Sequence, residues 1–300
     1  MTSGARTCVI AFPGQGIQKP GMAGKIAGTS AWRLFEEASD VLGYDLGALC
    51  MKGPEEVLNH TSQAQVAILV TCLALWELAK EEYRPALFLG HSLGEITALG
   101  AAGAFSFAEG VRLAKARGEL MATAPSGGMA AVLGLDPDTV YELCTKVRES
   151  GFSLQVANEN SPGQTVVSGD LPGLERLGAC ALERGAKRVV RLNVSGPFHS
   201  SLMAPVASEF ESVVSQLDLV TCHTPVLSND GETMLLSPDQ IRTKLITQIT
   251  APVRFTKQVQ RVSAMGLKEF VEVSPERLLT PLARRTESNL QFTLVTGGGI

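Results

Sequence analysis

Apolar positions along this chain follow two rhythms. The short unbroken runs TCVIAF (7–12) and ALFLG (86–90) are punctuated by Pro13-Gly14 and by Pro85, and they read as buried strands ending in loops. Between them, TSAWRLFEEASDVLG (29–43) and QAQVAILVTCLALWELAKEE (63–82) carry apolar residues at helical spacing, the second nearly apolar all round as a core helix is. HSLGE and the small-residue helix ITALGAAGAF come directly after ALFLG. Strands alternating with helices predict an α/β layer with a mostly parallel sheet.

From Met129 the rhythm changes. MAAVLGL, DTVYELCTKVRES, SLQVANE, QTVVSGD, GLERLGACALERG and KRVVRLN follow one another as βαββαβ, the ferredoxin-like unit. It is framed by two turn-rich joints, Pro125-Ser126-Gly127-Gly128 and Ser195-Gly196-Pro197, of the kind domain boundaries favour. The α/β pattern then resumes with strands TPVLSN and EFVEVS and helices PDQIRTKLITQI and RFTKQVQRVSAMG. The expected organisation is an α/β-hydrolase-like catalytic domain from 1–126 and 196–300, with an inserted ferredoxin-like subdomain at 127–195.

With 300 residues, 45% hydrophobic and 19% charged, the chain can bury a sizeable core without staples. A net charge of -4 with interspersed signs offers neither a basic stripe nor a polybasic patch, so neither nucleic acid nor membrane is an expected partner. Cys8, Cys50, Cys72, Cys144, Cys180 and Cys222 follow no metal-ligand spacing and sit mostly among apolar residues, as reduced core thiols do. The opening MTSGARTCVIAFPG has no long apolar segment or cleavage site, and no run of about 18 apolar residues occurs. A cytoplasmic monomer without a bound metal is the expectation.

One turn carries candidate chemistry. In Gly90-His91-Ser92-Leu93-Gly94, a G-x-S-x-G pattern lies between a buried strand and a small-residue helix, the setting of a nucleophile elbow. The glycines permit the sharp bend, and the helix N-terminus and the Leu93 N–H face the charge that would develop on an attacked carbonyl. The competing reading is a serine that merely caps the helix. A serine nucleophile needs a base, and the chain has four histidines. His91 adjoins Ser92 at a sharp turn and would point away. His60 lies in a polar loop and His223 beside a strand start. His199, in SGPFHS where the chain returns from the small unit, is the favoured base.

FPGQG (12–16), GHSLGE (90–95), RGELM (117–121), NVSGPFHS (193–200) and QITAPVRF (248–255) stand in the order seen in a known family. The chain resembles the malonyl-CoA:acyl carrier protein transacylases and polyketide-synthase acyltransferases, from residue 7 to about residue 285. The resemblance implies that Ser92 takes the acyl group as an ester and that His199 is its base, oriented by the backbone carbonyl of Gln248. Gln15 and Leu93 would supply oxyanion N–H groups. Arg117 would grip the free carboxylate of a malonyl group, since a planar guanidinium can make two parallel hydrogen bonds. His91 and Gln63 would line the same pocket, and the ring of Phe198 would crowd an α-methyl branch.

The implied substrates are malonyl-CoA and the phosphopantetheine thiol of an acyl carrier protein, with no further cofactor. Lys187, Arg188, Arg191, Arg277, Arg284 and Arg285 are candidate contacts to an acidic carrier by charge. Ser274-Pro275-Glu276 departs from the family's Gly-Pro-Gly turn, Val66 stands for a common proline, and Pro197 for a common alanine. Two alternatives remain: an acyl hydrolase of the same fold and a silent docking protein. The place of Phe198 generates a first prediction: kcat/KM is higher for malonyl-CoA than for methylmalonyl-CoA, and equal values would overturn the assignment of that ring.

Overall fold

The computed structural model describes residues 6–297; residues 1–5, at the start of the segment that reads as free of a leader, and 298–300 lie outside the described residues. Its strands, in chain order, are β1 (Arg6–Phe12), β2 (Tyr83–Gly90), β3 (Gly128–Leu133), β4 (Leu154–Ser161), β5 (Gln164–Gly169), β6 (Arg188–Arg191), β7 (Val226–Leu227), β8 (Met234–Leu235), β9 (Glu269–Val273) and β10 (Gln291–Val295). They form two sheets. The larger runs β10-β9-β1-β2-β7-β8 and is parallel except at the β7–β8 edge.

The unbroken apolar runs have a direct cause in this sheet. Ile10, Phe12 and Phe88 pack into one helical layer, while Val9, Ala11, Leu87 and Leu89 pack into the other, so both faces of β1 and β2 are buried. α1 (Arg33–Leu42), α2 (Leu46–Lys52), α3 (Glu55–Asn59) and α4 (Thr61–Ala79) occupy the stretch between β1 and β2. α4 is long and apolar enough to cross a membrane by length and composition, yet most of it is core. α5 (Leu93–Ala101) and α6 (Phe107–Ala122) follow β2.

The smaller sheet has the order β4-β5-β3-β6 and is antiparallel throughout, with α7 (Pro137–Glu149) after β3 and α8 (Leu171–Glu183) after β5. That is the ferredoxin-like arrangement, with its own apolar cluster around Val132, Val156, Val167 and Leu177. Asp136 and Asp170 cap its helices, accepting from the backbone N–H of Thr139 and Gly173. The chain then continues through α9 (Ala204–Ser215), α10 (Pro238–Thr247), α11 (Phe255–Ala264) and α12 (Leu279–Thr286). The smaller sheet is tied to the segment between α10 and α11, where the Glu159 N–H of β4 donates to the Val253 carbonyl and the Val253 N–H to that of Ala157, both at 2.8 Å.

Three details differ from the pattern-based expectation. β2 starts at Tyr83, not after Pro85. The register slips where Cys8 faces Pro85 and Val9 faces Leu87, and this bulge absorbs a residue that has no N–H to donate. TPVLSN shrinks to the two residues of β7, and Asn229 beyond its end turns toward Ser92. Finally, α2, α3, α6, α9, α12, β8 and β10 are elements that the apolar pattern did not single out, β10 because it is a half-buried edge strand of mixed polarity.

Candidate active site

Ser92 stands between β2 and α5 with φ 54° and ψ −111°, a conformation that L-residues avoid and that a surrounding structure must impose. The flanking glycines explain how. A Cβ on Gly90 would lie 1.9 Å from the Gly94 carbonyl carbon, and one on Gly94 2.0 Å from the Phe12 carbonyl oxygen. Only bare backbone permits this contact between the turn and the end of β1. Ser92 holds the N-cap position of α5, but its hydroxyl makes no capping bond. That disposes of the capping alternative. The hydroxyl lies 2.8 Å from His199 Nε2 instead.

His199 also has a positive φ, 58°. Its Nδ1 faces two carbonyl oxygens, Gln248 at 2.9 Å and Ala251 at 3.0 Å. Carbonyls only accept, so Nδ1 carries the proton and Nε2 presents a lone pair to Ser92. Burial first, then the charges of Arg117 and His91, hold the imidazole down to about 3 from its usual 6.5, so it is neutral and ready to accept a proton at neutral pH. Gln155 on β4 braces both sides of this arrangement. Its Nε2 donates to the carbonyls of His199 (3.0 Å) and Thr250 (3.2 Å), and its Oε1 accepts from the Ser201 N–H (2.9 Å).

Arg117 projects from α6 and is 1% exposed. Its Nη1 donates to Gln65 Oε1 at 2.9 Å, and its Nη2 donates to Gln248 Oε1 at 3.1 Å and to Ser92 Oγ at 3.3 Å. Nε has no partner among the described residues, so the guanidinium has donor capacity left. Burial lowers it to about 10, against the pull of Glu95, which leaves it charged at neutral pH. A buried cation beside a nucleophile is suited to an anionic acyl group.

The oxyanion side is set by the same turn. The Ser92 N–H is taken by Asn229 Oδ1 at 3.1 Å, whereas Leu93 opens α5 and has an N–H without an intrahelical partner. The loop carrying Gln15 passes beside Ser92: a Cβ on Gly14 would lie 3.6 Å from the Ser92 Cβ. Lys19, further along that loop, forms an exposed ion pair with Glu276, so the Ser274-Pro275-Glu276 turn is tied to it. Such a pair contributes little to stability but fixes which two loops are neighbours.

The other candidates divide: His91 and Phe198 adjoin this centre, whereas Gln63 turns away from Arg117 and does not line its pocket. His91 points away from Ser92, its Nε2 2.8 Å from Asn160 Oδ1 on β4 and its ring edge-on to Phe255. Phe198 is buried beside Gly196 in the turn leading into His199. Gln63 bonds the Tyr44 hydroxyl, while Gln65, two residues on, is the glutamine that reaches Arg117. His60 is the N-cap residue of α4, and His223 lies against Phe88 and Gly103. Of the candidate carrier contacts, all six are exposed, with Arg284 over the Phe292 ring and Arg285 bonded to Gln164.

Gln65, Glu95, Asn229, Asn160 and Gln155 escaped the sequence reading as site residues. Gln65 and Glu95 had a signal, each a polar residue inside an apolar helix; the other three had none beyond their residue type.

A hydroxyl hydrogen-bonded to a neutral imidazole, beside the free N–H of a helix N-terminus and a cation, is the arrangement that acyl transfer through a serine requires. The comparisons place it further. The sequence matches the acyl transferase domain family over residues 9–295, and the chain belongs to that family. It is 40% identical over 291 residues to a malonyl CoA-acyl carrier protein transacylase of Bacillus subtilis, covering 95% of this chain and 92% of that one. An acyl carrier protein S-malonyltransferase of Vibrio cholerae superposes with a TM-score of 0.93 at 37% identity, over 97% of both chains. A malonyl-transacylase solved in complex with its type II polyketide-synthase acyl-carrier protein, AntF, gives the same score and identity, over 98% of this chain and 97% of that one.

Two expectations rest on this geometry. Inactivation by the uncharged reagent phenylmethanesulfonyl fluoride reports on the Ser92–His199 bond alone, and its rate should stay flat as pH falls from about 8 to about 5; a decline centred near about 6.5 would contradict a dry, neutral His199. Gln155→Leu should lower kcat about tenfold, as loss of roughly one well-placed hydrogen bond does, and leave KM for malonyl-CoA unchanged. An unchanged kcat would remove Gln155 from the positioning of His199.

Proposed function

We propose that this chain moves a malonyl group from malonyl-CoA to the phosphopantetheine thiol of an acyl carrier protein, for fatty-acid or polyketide assembly, through an ester on Ser92. As Ser92 Oγ attacks the thioester carbon, its proton passes to His199 Nε2. The oxyanion turns to the N–H groups of Gln15 and Leu93, each worth about 10²–10³ in rate in comparable sites. Collapse breaks the C–S bond, and the departing CoA sulfur takes the proton from His199. In the second half, His199 removes the proton of the carrier thiol, the sulfur attacks the ester, and Ser92 Oγ leaves with that proton. The chemistry balances without a metal or redox cofactor. Six free cysteines, five of them buried, support a reducing cytoplasmic setting.

The observation that carries this reading is the buried Arg117 guanidinium 3.3 Å from Ser92 Oγ. An acyl hydrolase for simple chains has no use for a cation there, and a silent docking protein has no use for a strained serine held against an imidazole. With malonyl-CoA and holo-carrier protein present, malonyl-carrier should be the main product, with free malonate minor. Arg117→Ala should lower kcat/KM for malonyl-CoA by about 10- to 100-fold, the range of charge-assisted hydrogen bonds, while acetyl-CoA holds or improves. Free malonate as the main wild-type product would favour the hydrolase, and equal losses on both thioesters would separate Arg117 from carboxylate binding.

A further inference from the structure

Glu95 takes no part in the steps above, yet it is fully buried in the first turn of α5. An acid at this position ordinarily answers the helix N-terminus. Here its oxygens face other elements: Oε1 accepts from Gln248 Nε2 at 3.1 Å, and Oε2 from the Asn229 N–H. The Asn229 side chain in turn accepts the Ser92 N–H. One carboxylate thus reaches both the loop that orients His199 and the residue that pins the elbow.

The direction of the Gln248 carboxamide is decisive. One end donates and the other accepts, and an ionised carboxylate can only accept. Glu95 therefore claims the NH2 end and leaves the oxygen for Arg117 Nη2, 3.1 Å away. With the amide reversed, an NH2 would face the guanidinium. Two charged groups act on Glu95: Arg117 attracts it, and Asp230, which is paired with Lys244, opposes it. Burial pushes its carboxyl up to about 7 even though the Asn229 and Ser228 hydrogen bonds and the charge of Arg117 favour the ionised form.

We propose that Glu95 is a positioning residue that sets acyl selectivity: through the Gln248 carboxamide it holds the Arg117 guanidinium at the Ser92 oxygen and acts as its buried counter-charge. The proposal rests on the reading of Arg117 as the carboxylate-binding residue. Purely structural support of the elbow would serve every acyl group alike; orientation of Arg117 serves only those with a carboxylate.

Glu95→Gln keeps the size and removes the acceptor-only character. The ratio of kcat/KM for malonyl-CoA over acetyl-CoA should fall at least about tenfold, mostly through malonyl-CoA, since a misdirected guanidinium loses about one charge-assisted hydrogen bond. In an Arg117→Ala background the same change should leave the ratio where Arg117→Ala puts it. Equal losses for both thioesters in Glu95→Gln, or a further drop in the ratio without Arg117, would overturn the role of Glu95. A ratio that Arg117→Ala itself fails to lower would overturn the reading beneath it. Should Glu95→Gln not fold, Gln248→Met cuts the same relay; it should lower the ratio, and an unchanged ratio would overturn the proposal.

Discussion

A guanidinium without solvent is the constraint that organises this molecule. Left unpaired, a buried charge costs several kcal/mol, so Arg117 dictates what surrounds it. It accounts for a glutamine, Gln65, on a helix that is otherwise almost wholly apolar, and for the Gln248 side chain bridging Arg117 to Glu95. It also bears on the base, since its charge together with burial keeps His199 neutral. The cation proposed to grip an anionic substrate is therefore also part of what keeps the resting imidazole unprotonated.

Around it, among the described residues, the two non-glycine residues with positive φ are the two that share a hydrogen bond, Ser92 and His199. Strain of this kind persists only where neighbours over-determine it. For Ser92 these are the glycine contact with the end of β1 and the Asn229 side chain; for His199 they are the paired carbonyls of Gln248 and Ala251 and the Gln155 brace. Gln155 and Asn160 both come from β4, so one strand of the smaller sheet holds the backbone of the base and the His91 ring. The relative placement of the two sheets is thus a catalytic variable as well as a matter of packing.

What could be read from sequence divides along the same line. Both sheets and the serine turn announce themselves locally, because a doubly buried strand needs an unbroken apolar run and the elbow needs its two glycines. The βαββαβ order was legible from rhythm and capping aspartates alone. Pro85 misled because a bulge, which depends on the partner strand, can absorb a missing N–H. Gln63 and Gln65 could not be told apart without knowing the rotation of α4, which turns one to Tyr44 and the other to Arg117. Glu95 lay inside a motif already recognised, but its meaning depends on a glutamine 153 positions away.

The central claim is that Arg117 makes the serine selective before any carrier protein is involved, and charging of Ser92 tests it most directly. The enzyme is mixed briefly with equal concentrations of malonyl-CoA and acetyl-CoA, without carrier, and the Ser92 peptide is resolved by mass spectrometry. The account predicts a Ser92 ester that is almost entirely malonyl. Comparable malonyl and acetyl esters, or an adduct on any other residue, would contradict it.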